Sequence, residues 1–285
     1  MSGAVIALTT MAVLIRAISS ELPVPTILAF RSGISLLVVV AWMVVMGRTL
    51  AFQSAHRGAH LIRAICGVLS FAFLIFAYRR LDFALATALA YTTPFWVVVL
   101  SVLFLGERPG VRRLVATGIG FVGVLVVLRP LPLFDLGACA ALASAAFGAV
   151  ALSYVRWLSS LETTETLLFY FFLYGAILSA VPAVAEGIVP NSTQFAVLAA
   201  MSAAGTIGLG CAAQAYRLAD ATIIAPLDFL RLPIAAGIGV AVFGEIPQIW
   251  LLAGATLMII SLYYIVATGR SQPPASKPKE RPAAT

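Results

Sequence analysis

Asp228 and Arg231 carry opposite charges three residues apart, which puts them on one face of a helix. They lie inside an apolar run of about residues 221–243, with Pro226 and Pro233 to either side. Ionisable side chains in a hydrocarbon layer are costly. They mark a transport path, a ligand, or an ion pair tying two helices together. Prolines at that depth free backbone groups that only surrounding protein or a wet cavity can satisfy. The chemistry on offer is recognition. The planar guanidinium can take a carboxylate through two parallel hydrogen bonds. Asp228, released from Arg231, can then hold an amine or take up a proton. A substrate site is the reading favoured, with a structural pair as the alternative.

Other polar groups sit at depth. Arg31 lies about seven residues into its apolar segment, roughly 10 Å along a helix at 1.5 Å per residue. It needs a partner, water or a cavity there, unless it snorkels to the surface. Arg16 and Arg63 stand nearer segment ends and are expected to snorkel. Tyr170 and Tyr174, four apart, share a face and can pack or line a site, while Trp157 reads as an interface-belt residue. His56 and His60 have helical ligand spacing but no zincin glutamate, and are expected in a solvated loop. Cys66, Cys139 and Cys211 lie in separate segments without ligand-spaced partners. No metal site, cofactor or catalytic residue is indicated. Gly118, Gly120 and Gly123 match a dinucleotide fingerprint, but they lie inside a span, where glycines let helices approach closely.

The elements that must position these groups are membrane helices. The chain of 285 residues is 62% hydrophobic and 10% charged, far from a soluble domain. Ten apolar segments follow one another, at about 3–20, 24–46, 60–79, 83–105, 111–128, 135–156, 164–185, 193–215, 221–243 and 248–267. Each is near the length that crosses a bilayer as a helix. The chain enters the first run almost at once, without the basic lead-in of a cleaved signal, and a natural start a few residues upstream is compatible with this. Placing the N-terminus inside puts twelve Lys and Arg on cytoplasmic loops and tail, three outside, and three within spans. Both termini are therefore expected in the cytoplasm of a cell in whose inner membrane the protein sits. The net charge of +7 is a topology signal and does not describe a nucleic-acid surface. Residues 269–285, rich in proline and charge, read as a disordered cytoplasmic tail.

The chain repeats itself. Ala77-Tyr78-Arg79 recurs as Ala215-Tyr216-Arg217, Asp82 as Asp220, and Gly106-Glu107-x-Pro109 as Gly244-Glu245-x-Pro247. Every offset is 138 residues, and the unit holds five spans. An odd number of spans inverts the second copy, giving a five-plus-five inverted repeat of residues 1–130 and 135–268, an all-α architecture common among secondary transporters. Such carriers bind substrate where corresponding segments of the two halves are broken. Shifted back by 138, residues 228–233 fall on residues 90–95, which bring Tyr91, Thr93 and the adjacent Trp96 to the candidate site. Segments four and nine are both expected to break near mid-depth.

The repeated Gly-Glu-x-Pro, the Ala77-Tyr78-Arg79 segment, Phe30-Arg31-Ser32 and the Glu21-Leu22-Pro23 turn resemble the EamA-type drug/metabolite transporter superfamily. The resemblance implies a ten-helix carrier of small organic molecules with a central cavity. Relatives of that kind move amino acids, riboflavin, S-adenosylmethionine, metallophores or drugs. It also carries over Arg31 through the Phe-Arg-Ser pattern.

The expected activity is secondary transport of a small organic metabolite by alternating access, with export favoured. Arg31 and Arg231 outnumber Asp228, which favours an amino-acid-like carboxylate or zwitterion. Tyr91, Trp96, Tyr170 and Tyr174 would suit a flat portion. Import of a vitamin or nucleoside-like metabolite, such as riboflavin or S-adenosylmethionine, is the alternative. An intramembrane enzyme is the distant one, because it would need a metal cluster or a catalytic dyad at depth. No Gly-x-x-x-x-Gly-Lys loop is present, so the energy would come from a gradient, with a proton as candidate coupling ion. The partners expected are the substrate and the lipid bilayer.

Overall fold

The computed structural model describes residues 2–47, 54–105, 111–128, 135–218, 231–246 and 248–268. Among these there are eleven helices and no strand: α1 (Ser2–Ser19), α2 (Val24–Val45), α3 (Arg57–Arg80), α4 (Phe83–Ala90), α5 (Thr93–Leu105), α6 (Val111–Leu128), α7 (Leu136–Ser159), α8 (Thr164–Glu186), α9 (Ser192–Leu218), α10 (Arg231–Phe243) and α11 (Ile249–Thr268). Six spans among the described residues, counting α4 and α5 as one, are long and apolar enough to cross a membrane. Four further apolar helices are shorter, at 3–19, 114–128, 231–243 and 249–265. The proline-rich tail lies outside the described residues.

Local chemistry sets the helix starts. Asp135 Oδ1 accepts from Ala138 N at 2.8 Å and opens α7, while Thr163 Oγ1 accepts from Thr166 N at 3.3 Å and opens α8. Asn191 and Gln194 exchange backbone-to-side-chain bonds of 2.8 and 3.0 Å in a reciprocal cap on α9. The fourth segment breaks where the repeat predicts. Pro94 has no N–H, so the Ala90 carbonyl loses its helical donor. The Thr93 hydroxyl donates to that carbonyl at 2.8 Å, and the Thr92 hydroxyl donates to the Leu89 carbonyl at 2.7 Å. The broken turn is thus satisfied from within. The break expected in segment nine lies outside the described residues.

The helices pack in definite pairs: α6 with α11, α3 with α7, α2 with α8, and α1 with α9. α3 also meets α8, α2 meets α9, and α4 meets α10. Close pairs rest on glycines. A Cβ on Gly123 would come 2.9 Å from the Gly254 carbonyl oxygen, and one on Gly254 would come 2.5 Å from the Gly123 carbonyl oxygen. That pair lets α6 and α11 touch backbone to backbone, as a glycine contact and not a nucleotide fold.

One buried apolar cluster runs through the bundle, including Ile15, Ile27, Ile75, Phe83, Phe95, Met201 and Met258. The outside is also apolar: Leu37, Val45, Leu103, Leu125, Val181 and Val184 are all exposed. In water such a surface would drive aggregation. On apolar helices of spanning length it is a lipid face, and the protein is a multi-pass membrane protein.

Candidate functional site

A cavity of about 230 Å³ lies between α1, α2, α3, α4, α9 and α10. Thr9, Met11, Arg31, Phe71, Tyr78, Thr87, Tyr91 and Arg231 give it its chemical character. The break between α4 and α5 delivers Tyr91 to its wall, and the start of α10 delivers Arg231. The Arg231 guanidinium lies 5.4 Å from the centre of the Tyr91 ring. Tyr78 and Thr87 hydroxyls meet at 3.3 Å.

Arg31 is the distinctive group. It is 3% exposed, so its charge is almost fully withdrawn from solvent. Its guanidinium lies 3.8 Å over the Phe71 ring. Nη2 donates to the Met11 thioether at 3.9 Å, a weak acceptor, and Nε has no hydrogen-bond partner among the described residues. The hydroxyl of Thr9, in the same cavity wall, has none either. Among the described residues no carboxylate lies within ion-pair distance of Arg31. Nε and Nη2 form the side-on fork through which arginine takes a carboxylate. The fork is thus held in place with a soft, displaceable neighbour where an oxygen acceptor would fit. Gly205 of α9 permits this arrangement, since a Cβ there would come 2.6 Å from Met11 Sδ.

The expected site residues therefore separate. Arg31, Tyr91 and Arg231 line the cavity together. Asp228 lies outside the described residues. Thr93 is absorbed in the helix break. Trp96 faces α6, edge-on to Phe121 with centroids 5.6 Å apart, and its Nε1 is buried without a partner. Tyr170 and Tyr174 stand 5.8 Å apart, and Tyr170 stacks on His60 near the start of α3. Tyr78 lines the cavity too, having been marked only by the repeat, and Thr9, Met11, Phe71 and Thr87 line it without having been singled out. As single uncharged residues in apolar helices they carry no spacing signal.

The Gly-Glu-x-Pro motif has a visible role in the second half. Gly244 takes φ +66°, the left-handed end of α10, and Glu245 N closes the turn on the Gly239 carbonyl at 2.9 Å. The Glu245 carboxylate then accepts from Phe83 N at 2.7 Å and caps α4. Arg16 lies 3.6 Å from it. A Cβ on Gly239 would come 2.8 Å from Glu245 Oε2, so a side chain there would press on the carboxylate where it reaches α4. Arg16 is thus an ion-pair partner instead of a snorkelling side chain.

Two further readings are corrected at the opposite end of α3. His60 is fully buried, and its Nε2 lies 2.7 Å from Glu162 Oε2. His56 Nδ1 lies 3.4 Å from Glu162 Oε1, which also accepts from the Ser54 hydroxyl. His60 belongs to a packed cluster and not to a solvated loop, while His56, in the loop before α3 and 37% exposed, reaches the same carboxylate. Burial alone would push the Glu162 carboxyl up, but hydrogen bonds from Ser54 and His60 outweigh it and hold the pKa below the usual glutamate value. Arg63 is 7% exposed, donates to the Leu167 carbonyl at 2.7 Å, and lies 4.9 Å over Phe171. It is held inside the bundle, where an aromatic face and a carbonyl replace the water it was expected to seek. Among the described residues no group of three His, Cys, Asp or Glu forms a metal site.

Comparison with known proteins defines the class. Residues 1–129 match the model of the EamA-like transporter family. A riboflavin transporter of Vibrio cholerae serotype O1 is 27% identical over 249 residues, 86% of this chain and 83% of the relative. The pseudopaline exporter CntI of Pseudomonas aeruginosa is 29% identical over 257 residues, 89% of each chain. An S-adenosylmethionine uptake transporter of Rickettsia bellii is 25% identical over 242 residues, 83% of this chain and 81% of the relative. A solved crystal structure shares the fold over 94% of this chain and 95% of its own, with a TM-score of 0.65 at 20% identity. Residues 1–129 thus carry the EamA-like transporter family's pattern, and the likeness to proteins named as small-molecule transporters extends over most of the chain.

Proposed function

We propose that the cavity around Arg31 is the substrate site of a secondary carrier for a small organic metabolite with a carboxylate, anionic or zwitterionic. Relatives named as transporters of riboflavin, pseudopaline and S-adenosylmethionine support small-molecule transport. The observation that carries the substrate class is the buried Arg31 fork, with Nε unpartnered beside an unpartnered Thr9 hydroxyl. A buried charge left without an acceptor costs several kcal/mol. A ligand carboxylate removes that cost, and simple cations would raise it. Arg231 and Tyr91 form the opposite part of the wall, where Arg231 would release Asp228 when substrate binds.

The carrier reading also has a frame. The two halves would be inverted copies in the inner membrane, with both termini cytoplasmic. Moving each helix on by five segments turns the α3–α7 pair into α9–α1 and the α3–α8 pair into α9–α2, while α2–α8 and α6–α11 map onto themselves. Alternating access about the cavity follows from such a frame. Export is the favoured direction. The second reading, import of a flat vitamin, draws on the aromatic wall of Phe71, Tyr78 and Tyr91.

The test is counterflow in liposomes with labelled amino-acid-like carboxylates, riboflavin and S-adenosylmethionine in turn. Saturable exchange of a carboxylate or zwitterion, lost in Arg31→Lys, is expected. Exchange restricted to a cation, or chemical turnover in detergent, would refute the reading.

A further inference from the structure

The Glu162 cluster lies outside the cavity and does no work in substrate recognition, yet it joins the two halves. Ser54, His56 and His60 belong to the first half, and Glu162 sits on the turn between α7 and α8 in the second. All the donors converge on one carboxylate. His60 stacks on Tyr170 with centroids 4.7 Å apart, and His56 meets Trp157 edge-on at 5.4 Å.

The repeat supplies a second clasp to compare. His56 plus 138 is Gln194, at the start of α9. Gln194 Nε2 donates to Glu21 Oε2 at 3.0 Å, and Glu21 lies on the turn between α1 and α2, the counterpart of the turn that carries Glu162. The Arg79 side chain donates to the Leu22 carbonyl on that same turn. Arg79 closes α3 and His60 is in its first turn, so the two clasps stand at opposite ends of the bundle, about 30 Å apart at 1.5 Å per residue. One clasp uses imidazoles, side chains that can take up a proton, and the other an amide, which cannot. His60 Nδ1 is buried without a partner among the described residues, so the more exposed His56 is the imidazole open to a proton.

We infer that Ser54, His56, His60 and Glu162 form a proton-operated clasp on one end of the bundle, and that Glu21 with Gln194 forms its proton-insensitive counterpart on the other. Acidification adds positive charge beside an ionised Glu162 and tightens one end only. In an alternating-access carrier this biases the molecule towards the state closed at the Glu162 end. That last step rests on the carrier reading above, whereas the clasp itself does not. The lowered Glu162 pKa agrees with a carboxylate that stays charged while the clasp takes up a proton. Other ionisable groups on elements packed at this end are Arg57 and Arg63 of α3, Tyr154 and Arg156 of α7, and Glu165, Tyr170 and Tyr174 of α8. Arg63 is committed to the Leu167 carbonyl.

The test needs no substrate. Full-length protein in nanodiscs is followed by hydrogen exchange from pH 8 to 5.5, corrected for the intrinsic rate. Residues 160–166 are expected to exchange about tenfold more slowly at the acid end, the scale of a hydrogen bond to a charged group. Residues 20–24 and 191–195 should not change. His56→Gln, which copies the opposite clasp, should flatten the response. Glu162→Gln should speed exchange about tenfold at every pH, and Gln194→His should make residues 191–195 pH-sensitive. Trp157 fluorescence, with Trp42, Trp96 and Trp250 changed to Phe, gives an independent titration of His56. The inference is overturned if folded His56→Gln and Glu162→Gln exchange like the parent, or if both ends respond equally to pH. A clasp that titrates in a protein without transport would sink the carrier reading alone.

Discussion

Arg31 and Thr9 hold unsatisfied polar atoms in a buried wall, and this makes opposite predictions for stability and for function. A structural arginine destabilises when removed. An arginine kept for a ligand does not, because replacing a buried unpaired charge by an apolar side chain is neutral or stabilising. Arg31→Met is therefore expected to keep or raise the thermal midpoint in detergent while abolishing counterflow. Arg31→Lys keeps the charge but loses the side-on fork, and transport should fall at least tenfold, as one lost charge-assisted hydrogen bond of about 1.5–3 kcal/mol requires. Thr9→Val should melt like the parent and weaken substrate binding by about 1 kcal/mol. A lower midpoint in Arg31→Met would assign Arg31 a packing role. Glu162 carries a separate pH signature. Its folded pKa is depressed, so its stabilisation is complete above the ordinary glutamate value near about 4.3 and is lost as pH falls below it. Thermal midpoints followed from pH 6 to 3 should drop more steeply for the parent than for Glu162→Gln.

The short element α4 depends on a residue from the far half of the chain. Its N-cap, Asp82, makes no side-chain capping bond, and Glu245 serves instead. Glu245→Ala removes that cap and the partner of Arg16 together, and should lower stability by about 2 kcal/mol. Gly239→Ala leaves the chemistry of Glu245 intact but fills the space its carboxylate needs. It should therefore reproduce most of the Glu245→Ala loss, and much less in the Glu245→Ala background. Melting of the two single variants and the double in the same detergent measures this coupling. Independent losses that simply add would show that Gly239 serves helix packing alone.

Across the whole molecule, contacts sort into two ends. Arg16–Glu245, Glu21–Gln194 and Phe83–Glu245 gather at one, and His60–Glu162 and Arg63–Leu167 at the other. That sorting is what alternating spans require. The Lys and Arg balance of twelve to three leads us to expect the Glu162 end in the cytoplasm. Reporter fusions at Thr285 and in the 46–60 loop should both read cytoplasmic, and a periplasmic signal from either would overturn the orientation. An experimental structure should superpose residues 1–130 on 135–268 after a two-fold rotation about an axis in the membrane plane. A match without inversion would refute the repeat.

Residue order alone was enough for the membrane class, the helical segments and the break at Pro94, because hydropathy, span length and proline stereochemistry act locally. A charge inside an apolar run made Arg31 and Arg231 candidates, and the repeat added Tyr91, because an offset of 138 residues survives in the string whatever the fold. It could not say that Tyr170 would pack on His60, or that Thr93 would be spent on a carbonyl, because a helical face points to core, lipid or cavity only once its neighbours are placed. His56 and His60 looked solvated for the same reason: Glu162, their partner, is 102 residues from His60 in sequence. Glu245 announced itself as part of a motif, but the helix it caps begins 162 residues earlier. Tertiary structure decided these contacts, since burial of a charge is tolerated only where a distant donor or acceptor is brought within hydrogen-bond reach.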